Sequence, residues 1–264
     1  MRNKSLITAS LFIAVLAIAA CAGSERRVKF DNSLSQKLGE EPIALTGTLI
    51  KPAGDGPFPA VVILHPCSGP MPNQVRWALR FTSWGYVSFL VNSFEPRGVS
   101  SDCTWPHKVS FEMRARDAYD AKSYLATLSF IDPDKIAVAG WCHGACGTIE
   151  VATLEFNFPR EKLFSAAVAF YPHCKQWLGA VNAPLLILTG DLDDWYPAQN
   201  CVDNVPEKTK TGHEVVLKVY AEANHFFDVT GLNMTSYDHR LKYNRSAAAS
   251  AEVEVKDFLA KYLQ

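Results

Sequence analysis

The chain has 264 residues, of which 48% are hydrophobic and 20% are charged, and its formal net charge is −1. This composition is ordinary for a soluble globular protein. Because the sequence carries no basic stripe, nucleic acid is excluded as an expected partner. The sequence also has no internal repeats and no low-complexity tracts.

The first 20 residues have the pattern of an export signal. Arg2 and Lys4 precede an apolar run over residues 6–20, which is too short for a comfortable membrane span of roughly 20 apolar residues. The run ends in Ile-Ala-Ala before Cys21, an ending that resembles a bacterial lipobox. We therefore expect a periplasmic protein that contacts the membrane only through a lipid on Cys21. An ordinary cleaved signal with a chance cysteine is the alternative.

Residues 21–40 are polar and poorly periodic, and we interpret them as a tether in front of a single domain over residues 41–264. Apolar runs then alternate with amphipathic segments. The runs predict strands over residues 43–50, 60–64, 86–91, 136–139, 166–170, 185–188 and 214–220. The amphipathic segments predict helices over residues 74–84, 111–128, 145–153 and 246–263. Strands that alternate with helices indicate an α/β domain with a mostly parallel, doubly wound sheet.

The predicted helix over residues 111–128 is amphipathic. Tyr119 and Ala126 fall on its apolar stripe, which we expect to face the sheet. Its other side carries charged residues that we expect in solvent, namely Arg114, Arg116, Asp117 and Asp120.

The segment Gly140-Trp141-Cys142-His143-Gly144 lies between a predicted strand and a predicted helix. This is the setting of the nucleophile elbow, G-x-S-x-G, here with cysteine in place of serine. The turn is strained, and a side chain on either glycine would collide with the neighbouring strand or helix. It aims the sulfur of Cys142 at a helix N-terminus, which favours a thiolate. A structural cysteine at a tight turn is the alternative.

Two further residues complete a set that is typical of hydrolases. Asp193 and His225 each come just after a predicted strand, where open α/β sheets build their sites. The chain order nucleophile, acid, histidine is that of the hydrolases, so we predict that Cys142, Asp193 and His225 are catalytic. Asp191 is the alternative to Asp193, and Asp194 is expected to be solvated or to cap a turn.

These motifs together resemble the dienelactone hydrolase family from about residue 46 to residue 263. A cysteine nucleophile is itself typical of part of that family. The matching segments are Leu64-His65-Pro66-Cys67-Ser68-Gly69, Asn92-Ser93-Phe94-Glu95-Pro96-Arg97-Gly98, residues 140–144, residues 190–197 and His225-Phe226. The resemblance implies the α/β-hydrolase fold, with helices on both faces of the sheet. It also implies cleavage of ester or lactone bonds through a Cys-His-Asp triad and a thioester intermediate.

The resemblance implies roles for further residues. The backbone N–H groups of Cys67 and His143 should stabilise the oxyanion, and Arg97 aligns with an arginine that grips the substrate carboxylate in true dienelactone hydrolases. A surface arginine is the alternative for Arg97. The family's second carboxylate-binding arginine is Val229 here, and its glutamate beside the oxyanion loop is Pro66. Both departures weaken the assignment of a dienelactone as substrate.

The chain has seven cysteines. With Cys21 and Cys142 set aside, five remain, so at least one thiol is unpaired. An oxidising compartment permits disulfides, and four cysteines follow strand edges near the presumed site. The expected disulfides are Cys67–Cys103 and Cys174–Cys201. We expect Cys146 to be a small buried core residue.

The expected partner is a small ester or lactone, and Trp141, Trp195 and Phe226 are candidates to line an apolar pocket for it. No Cys/His cluster has metal-ligand spacing, so we predict neither a metal nor a cofactor. Two other functions stay open: an acyltransferase or thioesterase on the same fold, and a non-catalytic binding protein. The sequence leaves the natural substrate and the oligomeric state open.

Overall fold

The structure is a computed structural model and describes residues 24–37, 39–153, 163–175, 181–205 and 211–264. The expected export signal and Cys21 lie outside the described residues. Within these ranges, no helix is both long enough and apolar enough to cross a bilayer.

An eight-stranded sheet forms the centre of the domain. Its strands are β1 (Ser24–Asp31), β2 (Ala44–Lys51), β3 (Phe58–Leu64), β4 (Val87–Asn92), β5 (Ile131–Trp141), β6 (Ala167–Phe170), β7 (Leu185–Gly190) and β8 (Val215–Tyr220). Their order is β1-β2-β4-β3-β5-β6-β7-β8. Strand β2 pairs antiparallel with β1 and β4, and every other pair is parallel. The prediction of a mostly parallel sheet is confirmed.

Helices cover both faces of this sheet. They are α1 (Ser33–Lys37), α2 (Pro72–Ser83), α3 (Phe111–Leu125), α4 (His143–Thr153), α5 (Ala198–Asn204) and α6 (Arg245–Leu263), with a 3₁₀ turn at Glu95–Arg97 and a hairpin of β9 (Asn233–Ser236) and β10 (His239–Lys242). Alternate residues of β3 enter two separate cores. Val62 and Leu64 pack with residues of α3 and α4, whereas Val61 and Ile63 pack with residues of α2 and α6.

The segment interpreted as a tether is structured where it is described, and the tether prediction is wrong there. Residues 24–31 form β1, the edge strand that pairs with β2. Val28 and Phe30 are buried, while the residues between and beside them are exposed. Two apolar residues are too few to show a period of two in the sequence, and antiparallel pairing with β2 supplies the rest of the strand's stability.

The charged side of α3 is also not where the pattern placed it. Arg114 and Asp117 are 0% exposed and Asp120 is 3% exposed. Asp120 accepts hydrogen bonds from the backbone N–H of Leu34 (2.7 Å) and the hydroxyl of Ser35 (2.9 Å), which fixes the start of α1. Charged residues are buried when partners are provided, and those partners lie far away along the chain.

Candidate active site

Cys142 is the single residue between the end of β5 and the start of α4. Its φ is +52°, a left-handed conformation that residues with side chains rarely adopt and that is found at strained functional turns. Its N–H donates to the Phe170 carbonyl over 3.0 Å, and the residue is 1% exposed. The turn therefore has the geometry of a nucleophile elbow.

Two glycines make this turn possible. A Cβ on Gly140 would lie 2.2 Å from the carbonyl oxygen of Gly144, and a Cβ on Gly144 would lie 2.3 Å from that of Leu64. Backbone atoms at such distances leave no room for any other residue. The second close approach also packs the first turn of α4 against the end of β3, which brings Cys142 next to the loop that follows β3.

Asp193 and His225 meet in the loops after β7 and β8. Nδ1 of His225 lies 2.7 Å from Oδ2 of Asp193, and both side chains are 0% exposed. The other carboxylate oxygen accepts from the backbone N–H groups of Trp195 (3.0 Å) and Tyr196 (2.8 Å). The carboxylate is thus fixed in the orientation that holds the imidazole.

The neighbouring carboxylates do not compete for this contact. Asp191 is exposed, and its backbone N–H donates to the Tyr220 carbonyl. Asp194 is half exposed at its side chain and accepts from the N–H of Arg240 over 3.1 Å, with His239 3.6 Å away. Asp193 is the carboxylate that contacts the buried imidazole.

Gly190 allows the two loops to meet. A Cβ at this position would lie 2.1 Å from the carbonyl oxygen of Ala223. Gly190 ends β7, so the backbone that leads to Asp193 passes directly against the backbone that leads to His225. The sequence motif includes this glycine, but the sequence does not reveal what the glycine contacts.

The imidazole of His225 carries an unusual pKa. Burial has the largest effect and lowers it, but the charge of Asp193 and the neighbouring Cys142 outweigh burial and raise the pKa to about 10. Nε2 is buried and makes no hydrogen bond of ordinary geometry to any described residue. Since Nδ1 is bonded to Asp193, Nε2 is the nitrogen that is available to the thiol.

Aromatic rings enclose the imidazole. The ring centroids of Tyr171, Phe226, Trp195 and Tyr196 lie 4.6, 4.9, 5.3 and 5.5 Å from that of His225. Electrostatic interactions are stronger in such an apolar enclosure than in water. No sequence pattern indicated a role for the two tyrosines, although Tyr196 lies within the acid motif.

The model of the dienelactone hydrolase family matches residues 45–263. The chain belongs to the dienelactone hydrolase family. The resemblance drawn from the motifs is therefore confirmed. Protein usf of Aquifex pyrophilus is 26% identical over 199 residues, which cover 70% of this chain and 82% of that protein.

Solved structures share the fold at low sequence identity. A Klebsiella pneumoniae protein assigned as a dienelactone hydrolase superposes with a TM-score of 0.67 and 19% identity, covering 90% of this chain and all of that one. A dienelactone hydrolase-like promiscuous phosphotriesterase from metagenomic libraries gives a TM-score of 0.71 and 15% identity, covering 92% and 100%. The fold is the α/β-hydrolase fold, and membership of the dienelactone hydrolase family supports a hydrolase.

One expected oxyanion donor belongs to the elbow itself and the other to the loop that follows β3. His143 is the first residue of α4, where backbone N–H groups have no partner within the helix. Cys67 lies in the loop after β3 and is 3% exposed. Its carbonyl accepts from the N–H of Asp102 over 2.8 Å, and a disulfide joins Cys67 to Cys103. The loop that carries Cys67 is thus fixed at two points.

Both pairs of cysteines suggested by the sequence are joined in the structure. Cys67 is bonded to Cys103, and Cys174 to Cys201. Among the described cysteines, Cys142 and Cys146 are free thiols, and both are buried. Burial raises the pKa of Cys146, so this second thiol is held in its neutral form.

The prediction that Arg97 binds a substrate carboxylate is wrong. Its guanidinium forms two hydrogen bonds with Asp117, at 2.8 and 2.9 Å, and contacts Glu40 at 3.3 Å. It also donates to the Ser93 carbonyl over 2.9 Å. Protein groups therefore engage both terminal nitrogens of the guanidinium. A sequence motif gives the residue's identity but not the direction in which its side chain points.

The prediction that Trp141 lines a pocket is also wrong. Trp141 is 0% exposed, stacks on Phe170 with centroids 4.8 Å apart, and donates its indole N–H to Asp228 over 3.0 Å. Asp228 is the centre of a buried cluster. It accepts hydrogen bonds from Asn73, Trp77 and Trp141 at Oδ2 and from Tyr171 at Oδ1.

Two cavities flank the site. The larger, of about 600 Å³, is lined by Cys103, Trp105, Pro106, His107, Ser110, Phe111, His173, Lys175, Trp195 and Tyr196. The smaller, of about 170 Å³, includes Cys67, Trp195 and Phe226 in its wall. Trp195 and Cys103 line both cavities. Contact of Trp195 and Phe226 with a substrate stays a prediction.

A buried cation, Arg114, lies near the elbow, although the helical pattern predicted that it would face solvent. Arg114 donates to the His65 carbonyl over 2.9 Å and lies over the Phe94 ring. Burial lowers its pKa to about 10, against the opposing effect of nearby acidic groups that include Asp117. Arg114 is therefore charged at neutral pH, and its positive charge is felt at the elbow, where it interacts with Cys142.

The loop before α3 brings together groups that could hold a metal ion. One ligand atom each from Asp102, His107 and His143 lie within 4.8 Å of one another. Burial, followed by Arg114 and His107, lowers the pKa of His143 to about 2, so this ring is neutral at neutral pH. The spacing of these residues along the chain gave no such signal, because the loop and the elbow meet only in the fold.

Proposed function

We propose that this chain hydrolyses carboxylic ester or lactone bonds with Cys142 as its nucleophile. The observation that carries the proposal is the placement of His225 between two partners. Asp193 holds Nδ1 at 2.7 Å, and Cys142 acts together with Asp193 to raise the pKa of the imidazole. An orienting acid, a base and a nucleophile in this order form the arrangement of a triad.

The imidazolium of His225, which its raised pKa favours at neutral pH, stabilises the thiolate of Cys142, and this thiolate attacks the carbonyl carbon of the ester. Asp193 keeps the imidazole in the orientation that presents Nε2 to the sulfur and stabilises the imidazolium that forms. The left-handed turn at Cys142 favours this attack because it presents the side chain at the C-terminal end of β5.

The tetrahedral intermediate carries a negative charge on the former carbonyl oxygen. The backbone N–H groups of Cys67 and His143 stabilise it, and loss of one such donor typically slows a reaction by about 10²–10³. Support comes from the close packing of Gly144 against Leu64, which brings the two donor-bearing segments together. The disulfide between Cys67 and Cys103 holds the first of them.

The intermediate collapses with loss of the alcohol, which accepts the proton from His225, and leaves a thioester on Cys142. Water, deprotonated by His225, then attacks the thioester and releases the acid. A thiolate leaves more readily than an amine, so amides should be poor substrates.

The test is hydrolysis of short aryl esters by the wild type, by Cys142→Ala and by Cys146→Ala. Cys146 is the matched control because it is the other free buried thiol and lies one helical turn further along α4. We expect Cys142→Ala to lose more than about 10³-fold in kcat/KM and Cys146→Ala to lose less than about threefold. Equal rates for the wild type and Cys142→Ala would reject the proposal.

We also propose that the protein is exported and anchored by a lipid on Cys21. Two disulfides support export, because such bonds persist in oxidising compartments and are rare in the cytosol. Radioactive palmitate should label the wild type in a bacterial host, and Cys21→Ser should abolish the label. Labelling that survives this substitution would contradict lipidation at Cys21.

A further inference from the structure

Three side chains that the proposed hydrolysis does not use lie beside the larger cavity. Asp102 and His107 belong to the loop between β4 and α3, and His143 begins α4. Nε2 of His143 is 4.0 Å from Oδ2 of Asp102, and Nδ1 of His107 is 3.9 Å from the same oxygen. His107 also lines the cavity, so the cluster can be reached from outside.

We propose that Asp102, His107 and His143 bind one divalent transition-metal ion, for which Zn²⁺ is the best fit. Two imidazoles and one carboxylate are a ligand set that zinc takes in proteins. Three protein ligands leave a fourth position for water or for a group that enters from the cavity. The proposal does not depend on ester hydrolysis, because metal binding is measured without a substrate.

The strongest observation is the state of the His143 side chain. It is 0% exposed, and the backbone of Val109 is the one described group that acts on it as a hydrogen-bond partner, so at least one ring nitrogen has no partner among the described residues. The rings of Phe94 and Phe111 pack against it at centroid distances of 5.7 and 4.9 Å. Buried polar groups normally have a partner, and a metal ion at the cluster would supply one.

The other two ligands are already oriented. The Asp102 carboxylate accepts from the backbone N–H groups of Lys108 (3.1 Å) and Val109 (2.9 Å). Each oxygen retains a further lone pair. Nδ1 of His107 lies 2.9 Å from the Asp102 carbonyl oxygen. Such bonds to the groups that ligate a metal fix their direction and support affinity.

The three side chains must move closer together to close the site around an ion. Ligand atoms around a tetrahedral zinc with bonds of about 2.0–2.1 Å are about 3.3 Å apart. Nε2 of His143 and Oδ2 of Asp102, 4.0 Å apart, must therefore approach by about 0.7 Å. The widest separation in the cluster, at most 4.8 Å, must shorten by up to about 1.5 Å. Because Nδ1 of His107 is bonded to the Asp102 carbonyl, Nε2 is the nitrogen that His107 offers to the ion. The nearby charge of Arg114, which lowers the pKa of His143, opposes a cation, so the carboxylate of Asp102 is essential.

The experiment measures Zn²⁺ binding to the purified chain with its disulfides intact, by isothermal titration calorimetry, and then the metal's ligands by X-ray absorption. We expect one ion per chain, a first shell of nitrogen and oxygen at about 2.0–2.1 Å and no sulfur at about 2.3 Å. The melting temperature should rise with Zn²⁺, because the ion binds only the folded state. Absence of saturable binding, or sulfur in the first shell, would overturn the proposal.

Variants locate the site. His107→Ala and Asp102→Asn should each weaken Zn²⁺ binding by more than about 100-fold, since loss of an outer partner alone typically costs 10–100-fold. His173→Ala is the matched control, because His173 lines the same cavity outside the cluster. Cys142→Ala should bind as the wild type does. Binding that survives in His107→Ala, with the metal-free melting temperature unchanged, would refute the assignment.

Discussion

The indole N–H of Trp141 donates to the carboxylate of Asp228 over 3.0 Å. This bond links the residue before the proposed nucleophile to the loop that carries His225. The same oxygen also accepts from Trp77 of α2 over 2.8 Å, and the other oxygen accepts from Tyr171 at the end of β6 over 2.8 Å. Asp228 therefore fixes the relative positions of the elbow, the histidine loop, a helix and a strand end.

Asp228→Asn should weaken this cluster. An amide has one oxygen, which can face the three N–H donors, while its NH₂ group faces the Tyr171 hydroxyl and requires that hydroxyl to accept instead of donate. Hydrogen bonds to a neutral amide are weaker than those to a carboxylate, and we expect the free energy of unfolding to fall by about 1–3 kcal/mol, measured by urea denaturation. We also expect kcat/KM for aryl esters to fall. Asp194→Asn is the control, because its carboxylate is half exposed, and its stability should be unchanged. A stable, fully active Asp228→Asn would contradict this.

Gly190→Ala should separate the acid loop from the histidine loop. Its Cβ would lie 2.1 Å from the backbone oxygen of Ala223, so one of the two strand ends must shift. We expect a loss of more than about 3 kcal/mol of unfolding free energy and little remaining activity. Gly85→Ala is the comparison, since that position has open space but a φ of +93°. It should cost only about 1–2 kcal/mol of backbone strain.

The sequence predicted the central sheet because apolar runs such as β3 and β7 are local signals. It also predicted that Asp193 and His225 would meet, because each follows a strand and the ends of parallel strands share one edge. The role of Cys142 as the nucleophile of the same site stays a prediction. In the same way, the glycines of the elbow could be assigned from the motif alone.

Features that depend on partners far away along the chain could not be predicted from local sequence patterns. Arg114 and Asp117 look like solvent-facing charges, and only the fold supplies the His65 carbonyl and Arg97 that pair with them. Trp141 looks like a pocket residue, whereas its partner, Asp228, lies 87 positions further along the chain. Burial of a charged or polar side chain depends on such partners, and local periodicity carries no information about them.

The two disulfides should differ in their effects on catalysis. Cys67→Ser/Cys103→Ser removes the bond that holds the loop of the proposed oxyanion donor, whereas Cys174→Ser/Cys201→Ser removes one that does not. The closed loops are of similar length, with sequence separations of 36 and 27. Both double variants should therefore lose about 3–4 kcal/mol of stability.

Only the first double variant should lose a further 10-fold or more in kcat/KM, measured with aryl esters below each variant's melting range. An equal loss of activity in the two variants would show that the Cys67–Cys103 bond has no special role in the site.

Arg97→Met should damage stability rather than selectivity. It leaves the Asp117 carboxylate, which is 0% exposed, without its ion pair. Breaking a buried pair costs about 3–5 kcal/mol. The ratio of kcat/KM for a carboxylated ester to that for its neutral analogue should stay within about twofold of the wild type. Lys175→Met, which removes a cation that lines the larger cavity, is the comparison variant and should lower that ratio. If Arg97→Met lowered kcat/KM for the carboxylated ester much more than for its neutral analogue, a substrate-binding role for Arg97 would be supported again.

The stability of the folded chain should fall as pH rises above neutrality, because of His225. Its pKa is raised from 6.5 to about 10, so between these values the folded state holds a proton that the unfolded state has released. The contribution of this proton to the free energy of unfolding is fully present below about pH 6.5 and is lost as pH rises through about 10. The free energy of unfolding falls by at most about 1.4 kcal/mol per pH unit over this range. Urea denaturation at several pH values between 6 and 9 measures this change in the free energy of unfolding.

His225→Gln should show a flatter dependence of the free energy of unfolding on pH than the wild type does. The variant His239→Gln should keep the wild-type slope. Identical slopes in all three proteins would mean that Asp193 and Cys142 do not hold a proton on this imidazole.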